Sequence, residues 1–194
     1  MVITAQSDHK RSPRERILNT ASVLFYAHGY RAIGVDRLIA ESGVAKMTFY
    51  RHFPSKDDLI RAYLENASEQ YWVWINGMIA EHNPPRAQLE AIFEGVAKLA
   101  SSPQCLGCAW MHAAAEFPDM THPGHVAALE FKNKMLAKLE ALSRAAKARD
   151  PEGLAQDLML VMDGAWAAAR VFGVGNHGAR AGITAKNLIA VQLK

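Results

Sequence analysis

The chain has 194 residues, of which 50% are hydrophobic and 21% are charged, and it contains two cysteines. This composition predicts a globular protein with a substantial core, and it excludes an intrinsically disordered chain and a disulfide-stabilised scaffold. The net charge is +3, but residues 1–61 carry ten Lys and Arg against six Asp and Glu, which favours either an anionic partner for that third or a basic surface that only faces solvent.

The first twelve residues, MVITAQSDHKRS, predict a flexible tail. They contain neither the apolar run of a secretory signal nor the Arg- and Ser-rich pattern of a transit peptide. No apolar run in the chain approaches the roughly 18–20 residues that a membrane span needs. We therefore expect a cytoplasmic protein without a membrane segment. The stretch HKRSPR is either an arm that reaches a DNA minor groove or an ordinary disordered tail.

Helical periodicity extends through almost the whole chain, and strand signals are nearly absent. Breaks rich in Pro, Gly or Asp separate the periodic segments. The predicted helices cover residues 13–29, 35–42, 45–52, 56–81, 85–100, 104–117, 123–148, 152–172 and 183–193. The pattern predicts an all-α fold of about nine helices.

The second and third helices are too short to be stable alone, so they must pack on each other and on the first helix. Gly43 between them suits a turn with positive φ, and Val44 can fill the corner. This arrangement predicts a helix-turn-helix unit, whose second helix lies in the major groove of DNA. Phe49 and Phe53 would face the core. The outward or flanking positions then hold Lys46, Met47, Thr48, Tyr50, Arg51 and His52.

The segment GYRAIGVDRLIAESGVAKMTFYRHFPSKDDLI, residues 29–60, resembles the DNA-binding domain of the TetR family of bacterial transcriptional regulators. The glycine-aromatic pair after the first helix, the Ala-x-x-x-Gly-Val turn in degenerate form and the closing Tyr-x-His-Phe-x-x-Lys carry the resemblance. The rest of the chain agrees with the family in length and helix count only. The resemblance implies that phosphates are held by Thr48, Tyr50, His52 and Lys56. It also implies that Lys46, Met47 and Arg51 lie near base edges.

The sequence departs from the family pattern at Ile33 and Gly34, where the family usually has Thr and Ser. The hydroxyl that caps the second helix is therefore missing. Gly34 can still cap that helix and leave its backbone N–H open to a phosphate. Met47 either contacts a thymine methyl group or only fills space.

A single helix-turn-helix makes too few contacts for tight specific binding, so such modules pair across a twofold axis on two half-sites. Residues 152–172 are apolar on nearly every side. In the family the last two long helices of each subunit form a four-helix interface, and 152–172 with 183–193 resemble them. The alternative is a buried helix of a monomer. We expect residues 13–54 to bind operator DNA and residues 55–194 to bind an effector and form a homodimer.

The middle helices combine aromatic and Met side chains with a few polar groups that are costly to bury unpaired. Most of the apolar members belong to the core in any helical protein, but the combination is typical of a small-molecule pocket. The candidate effector-binding residues are Trp72, Met78, Phe93, Trp110, His112, Glu116, Met162, Asp163 and Trp166. An effector there is expected to shift the helix 56–81 and release the operator, as in a ligand-responsive repressor.

The segment CLGCAWMHAAAE places Cys105, Cys108, His112 and Glu116 at spacings of 3, 4 and 4. On a helix these residues would form one stripe about 16 Å long, which is too long for one metal ion. We expect neither a metal site nor a cofactor. The two thiols are either small buried apolar groups or a redox- or electrophile-sensing pair near a helix start at Ser102 and Pro103.

No glycine-rich phosphate loop, nucleophile elbow or metal-ligand pair is present in the sequence, so an enzyme is not expected. A helical protein-interaction module that does not bind DNA is the remaining alternative. That alternative leaves the joint occurrence of Tyr50, His52 and Lys56 in a helix-turn-helix pattern unexplained.

Overall fold

A computed structural model describes residues 11–193, so the predicted tail lies outside the described residues apart from Arg11 and Ser12. Residues 11–193 form nine α-helices and no strand, which confirms the predicted all-α fold. None of these helices is long and apolar enough to cross a membrane. The helices are α1 (Pro13–His28), α2 (Val35–Ser42), α3 (Lys46–His52), α4 (Lys56–Ala80), α5 (Pro85–Ala100), α6 (Ala109–Glu116), α7 (Pro123–Ala145), α8 (Pro151–Phe172) and α9 (Arg180–Gln192), with a 3-10 turn at His177–Ala179.

The described chain divides into two compact units. The first unit contains the described residues up to Ser68 together with Ala109–Glu130, and the second contains Glu69–Cys108 together with the described residues from Phe131 onward. Both units include parts of α4 and α7. The predicted boundary between residues 54 and 55 lies inside the first unit, because that unit extends to Ser68 and also contains α6. A functional boundary at that point stays a prediction.

Side-chain caps define the starts of three helices. At α1, Ser12 accepts a hydrogen bond from the backbone N–H of Glu15, and the Glu15 carboxylate accepts one from the backbone N–H of Ser12. The same reciprocal pair forms at α4, where Ser55 and Asp58 cap each other at 3.1 and 3.0 Å. Asp150 caps α8 through the N–H of Gly153. Each cap satisfies backbone donors that a helix leaves unpaired in its first turn.

Aromatic side chains fill the core of the first unit. The ring of Tyr30, whose residue is 1% exposed, lies 5.3 Å from Phe25, 6.1 Å from Tyr63 and 5.8 Å from Phe117, measured between ring centroids. These rings come from α1, the following turn, α4 and the residue after α6. Burial of one such ring contributes about 1.5–3 kcal/mol, so the aromatic cluster joins distant segments of the chain.

The predicted start of one helix is wrong. The segment 104–117 was expected to be helical throughout, but α6 begins only at Ala109. Residues 101–108 form a turn and a loop, in which Gly107 has φ 97°, outside the helical region. The predicted helix start at Ser102 and Pro103 is therefore absent, and Cys105 and Cys108 do not lie on a helical stripe with His112.

In the second unit, α9 packs against both α5 and α8. The buried positions of α5 recur at helical spacing, and they include Leu89, Ile92, Phe93 and Val96. Small residues allow the backbones to approach closely: a Cβ atom built at Gly182 of α9 would lie 3.5 Å from the carbonyl oxygen of Phe93. The second unit is thus a helical layer held by apolar burial.

The turn after α2 can be tested through Gly43, which has φ 62°. Gly43→Ala is expected to lower the free energy of unfolding by about 1–2 kcal/mol, because an L side chain is strained in the left-handed region. Gly77→Ala is the matched control: it lies within α4, and its new methyl group would meet no described atom within 4 Å. The control should raise the free energy by about 0.5–1 kcal/mol.

Urea denaturation followed by circular dichroism, at one protein concentration, measures both variants. Equal stability changes of the same sign would contradict the left-handed conformation at Gly43.

Candidate nucleic-acid interface

The turn between α2 and α3 has the geometry that the helix-turn-helix pattern predicts. Gly43 is in the left-handed conformation, with φ 62° and ψ 30°, and its N–H donates to the carbonyl oxygen of Ala40 at 3.4 Å. Val44 is buried, with 8% of its surface exposed. The chain re-enters a helix at Lys46. The turn therefore redirects the chain within three residues and fixes the direction of α3.

The helix α3 separates apolar from polar side chains. Phe49 and Phe53 are 0% and 2% exposed, whereas Met47 is 81% exposed. The exposed side chains of α3, here named the outer face, are Lys46, Met47, Tyr50 and Arg51. At 100° per residue, these four positions cover an arc of roughly 140° around the helix. The outer face is thus a continuous surface with two basic groups, a phenol and a thioether.

Thr48 and His52 flank the outer face and are half-buried. The ring of Tyr50 packs edge-on against Phe49, with 5.5 Å between centroids. This contact restrains the Tyr50 ring while its residue stays 40% exposed. A side chain that is held in place loses less conformational entropy when it binds a partner.

Two more predicted residues lie at helix starts. Gly34 is the N-cap of α2 and makes no side-chain cap, and a Cβ atom built there would meet no described atom within 4 Å. The first backbone N–H groups of α2 are therefore accessible to an anion. Lys56 begins α4 and is half-buried. Burial lowers the pKa of Lys56, and the carboxylates of Asp57 and Glu116 oppose that change.

Two basic residues of α1 lie against the helix-turn-helix: Arg14, the last residue of the stretch HKRSPR, and Arg16, which the sequence analysis missed. The guanidinium of Arg14 lies 5.4 Å from the centroid of the Phe53 ring. The Nη1 atom of Arg16 lies 3.8 Å from the position of a Cβ atom at Gly43. The periodicity of α1 shows which side faces the core, but it does not show which neighbour the polar side meets.

The nine predicted effector-binding residues divide between the two units. Trp110, His112 and Glu116 belong to the first unit, and the other six belong to the second. The Glu116 carboxylate accepts hydrogen bonds from the backbone N–H groups of Tyr30 and Arg31, at 3.0 and 2.7 Å. That carboxylate is already used within the first unit. In the second unit, Phe93, Trp72, Trp166 and Met162 are buried and Met78 is half-buried.

An aromatic cluster in the second unit surrounds Tyr71, which the sequence analysis did not single out. Here the cluster comprises Tyr71, Trp72, Trp74 and Phe131. The Tyr71 ring lies 5.2 Å from Trp74 and 5.3 Å from Phe131. Its hydroxyl lies 3.8 Å from the sulfur of Met162, and burial raises the pKa of Tyr71. The phenol is therefore neutral at physiological pH.

Charged side chains border this aromatic cluster. The ammonium of Lys134 lies 4.7 Å from the centroid of the Trp72 ring. Lys132 forms an ion pair with Asp163. The second unit thus places aromatic rings, a thioether and paired charges close together.

The cysteines have free thiols and lie in the loop before α6. Cys105 and Cys108 are each 7% exposed. Across residues 11–193, no group of three or more His, Cys, Asp or Glu side chains is placed to hold a metal ion.

Comparison with known proteins gives a family for this arrangement. The family described as "Bacterial regulatory proteins, tetR family" matches residues 17–63, which include α2 and α3. A solved TetR-family transcriptional regulator from Streptomyces coelicolor is 32% identical to this chain and superposes on it with a TM-score of 0.84. The match covers 97% of this chain and 95% of the regulator's chain. The chain belongs to the TetR family. It is a DNA-binding transcriptional regulator and not an enzyme.

Shorter matches to curated TetR-type relatives agree. The HTH-type transcriptional regulator YxaF of Bacillus subtilis is 47% identical over 47 residues, which are 24% of this chain and 25% of YxaF. The HTH-type transcriptional regulator LmrA of the same organism is 36% identical over 58 residues, 30% of this chain and 31% of LmrA. These matches span only a quarter to a third of the relatives, so the likeness to the Streptomyces coelicolor regulator carries the family assignment for the rest of the chain.

The predicted DNA contacts of this TetR-family regulator can be tested with Arg51→Gln on the outer face and Lys56→Gln at the start of α4. Lys56→Gln should weaken binding to all DNA sequences and reduce the slope of log K against log salt by about 0.9 per protomer, because a lost phosphate contact releases fewer counterions. Arg51→Gln should relax specificity at one base position, at a cost of about 1–3 kcal/mol.

Fluorescence-anisotropy titrations with duplex DNA at several salt concentrations measure both effects. Lys98→Gln is the control, since Lys98 is exposed on α5 in the second unit and should leave the slope unchanged. A wild-type slope for Lys56→Gln would contradict its contact with phosphate.

Proposed function

We propose that this TetR-family chain is a cytoplasmic, dimeric repressor that leaves its operator when a small molecule binds. In this proposal residues 13–54 bind DNA, and residues 55–194 bind the effector and form the dimer. The observation that carries the proposal is the outer face of α3, which is exposed as a unit because Phe49 and Phe53 are buried behind it. A helix built in this way fits the major groove with its polar side outward.

The burial pattern supports separate tasks for the predicted DNA-binding residues. Thr48, Tyr50, His52 and Lys56 are proposed to hold phosphates, together with the open N–H groups at Gly34. Lys46, Met47 and Arg51 are proposed to meet base edges. The 81% exposure of Met47 means that its side chain fills no space in the described core. This favours contact with a thymine methyl group over a packing role.

An exposed apolar surface on α8 and α9 supports the homodimer. Leu160 and Val171 of α8 are each 72% exposed, and Ile183 and Val191 of α9 are 53% and 54% exposed. Leu160 and Val171 lie eleven residues apart, which is three helical turns, so they share one side of α8. Large apolar side chains that recur on one face mark an interaction surface. A second copy is the proposed partner, and it would set the distance between two α3 helices.

Leu160→Asp tests this surface. The substitution should weaken the dimer by at least roughly 100-fold, because each dimer would bury two unpaired carboxylates. Operator binding should fall with it, since one α3 alone makes too few contacts. Sedimentation velocity and anisotropy titrations measure the two effects. Val73→Asp is the matched control, because Val73 is an apolar residue of α4 that is 75% exposed, close to the 72% of Leu160. A stable Leu160→Asp dimer would refute the assignment.

The effector is proposed to bind in the second unit near the aromatic cluster. Phe131 and Tyr71 offer ring surfaces, Met162 offers a polarisable sulfur, and the Lys132–Asp163 pair offers charge. Such surroundings favour a planar, mostly apolar small molecule with one polar group. The effector can release DNA only through a higher affinity for the DNA-free state than for the DNA-bound state.

A panel of planar aromatic compounds, titrated into the protein–operator complex in a gel-shift assay, tests the proposed effector. At least one compound should weaken the complex and quench the tryptophan fluorescence that Trp72 and Trp74 contribute. Tyr71→Ala should raise the concentration needed for half release by about tenfold or more, since a buried ring contact is lost. Val73→Ala, beside the cluster in sequence, should leave that concentration unchanged. Operator affinity that no compound alters would count against ligand-responsive release.

A further inference from the structure

Glu116 makes an uncommon contact between α6 and the turn that joins α1 to α2. One carboxylate oxygen accepts from the backbone N–H of Tyr30 at 3.0 Å, and the other accepts from the N–H of Arg31 at 2.7 Å. The helix α1 ends at His28 and α2 begins at Val35, so both N–H groups lie outside any helix. A carboxylate that accepts from two adjacent backbone donors fixes the local chain direction strongly, because charge-assisted hydrogen bonds are short and directional.

The first residue of α6 also binds Tyr30. The hydroxyl of Tyr30 donates to the carbonyl oxygen of Ala109, the first residue of α6, at 2.9 Å. Tyr30 is therefore bound at its backbone by the last residue of α6 and at its side chain by the first. Its ring is buried between Phe25 and Phe117. Any movement of α6 along its axis must strain at least one of these contacts.

The residue before Tyr30 is a glycine, and it leaves room for the Glu116 carboxylate. Gly29 has φ 85°, and a Cβ atom built there would lie 2.6 Å from Oε1 of Glu116. That distance is shorter than any real carbon–oxygen contact, so a side chain at position 29 would displace the carboxylate. The glycine that ends α1 thus serves two purposes: it permits the positive φ and it lets Glu116 approach the backbone.

The contact extends to the first turn of α4. The guanidinium of Arg31 lies 5.5 Å from the centroid of the Phe117 ring, and the His122 ring stacks on that same ring at 3.9 Å. Nε2 of His122 lies 3.4 Å from Oδ1 of Asp57 in the first turn of α4. The end of α6, the α1–α2 turn and the start of α4 therefore form one connected set of contacts.

We propose that Glu116 is a positioning residue for DNA binding. Its carboxylate holds the α1–α2 turn, and through Gly34, three residues after Arg31, it holds the N-terminus of α2 where a phosphate can reach it. Glu116 contacts no DNA in this proposal, and its role replaces the effector contact expected from the sequence. The proposal rests on the DNA-binding face proposed above.

Glu116→Gln tests the proposal, because the amide keeps the shape but can accept with only one of its two terminal atoms. We expect amide hydrogen exchange at Tyr30 and Arg31 to become about tenfold faster, and operator affinity to fall about tenfold. The salt slope should stay that of the wild type, since the disturbed phosphate contact is made by neutral backbone N–H groups and no cationic side chain is removed. Glu130→Gln is the matched control: Glu130 lies in the same unit and pairs with Arg61 at 3.4 Å on the surface. It should change none of these values.

The outcomes separate this proposal from the one on which it rests. Faster exchange at Tyr30 and Arg31 with wild-type operator affinity would overturn the positioning role. Unchanged exchange would overturn the contact itself. If Lys56→Gln and Arg51→Gln bind operator as the wild type does while Glu116→Gln does not, the proposed face fails and the role of Glu116 stands. Should Glu116→Gln not fold, Glu116→Asp keeps the charge but shortens the side chain by one methylene group, and faster exchange at Tyr30 and Arg31 with wild-type operator affinity for that variant would overturn the proposal.

Discussion

The helix α3 has seven residues, and a helix of that length is unstable by itself in water. Its existence depends on the burial of Phe49, which is completely inaccessible to solvent, and of Phe53 one turn later. The same burial decides which side of α3 is exposed, because every residue that is not directed to the core must face outward or flank it. The surface proposed to bind DNA is thus a consequence of core packing. Changes that loosen the core behind α3 are expected to disturb recognition even when every exposed side chain is kept.

In the first unit, Tyr30 connects segments that are distant from one another in the chain. Tyr30 is packed by rings from α1, α4 and the segment after α6, and it receives polar contacts from both ends of α6. The buried hydroxyl of Tyr30 and its part-buried backbone N–H would be costly without partners, and Ala109 and Glu116 supply them. The α6 helix therefore belongs with the DNA-binding helices in physical terms, although it follows them in the chain by more than fifty residues.

In the second unit, apolar side chains are also buried between helices, but some large apolar side chains stay exposed. The helices α5, α8 and α9 bury one side of each other, while α8 and α9 leave Leu160, Val171, Ile183 and Val191 in solvent. Exposed apolar surface on two packed helices costs free energy until a partner covers it. A twofold partner would cover both helices with a single contact. The surfaces proposed for dimerisation and for DNA recognition are then two consequences of where apolar side chains lie along otherwise similar helices.

The sequence by itself determined the all-α class, most helix boundaries, the glycine turn before α3 and the outer face of α3. These features are local: they depend on side-chain spacing at 3.6 residues per turn and on caps and glycines next to them in the chain. The tertiary structure decided which groups meet over long separations. Glu116 was expected to contact an effector because a carboxylate among apolar residues is typical of a pocket, yet it binds Tyr30, 86 residues away. Its partners are backbone N–H groups, which nearly every residue has, so no sequence pattern marks them. The packing of Tyr71 against Phe131 was missed for a related reason, since side-chain spacing does not show which helices become neighbours. The late start of α6 was missed because helical periodicity continues through residues 101–108, which form a turn and a loop with Gly107 at positive φ.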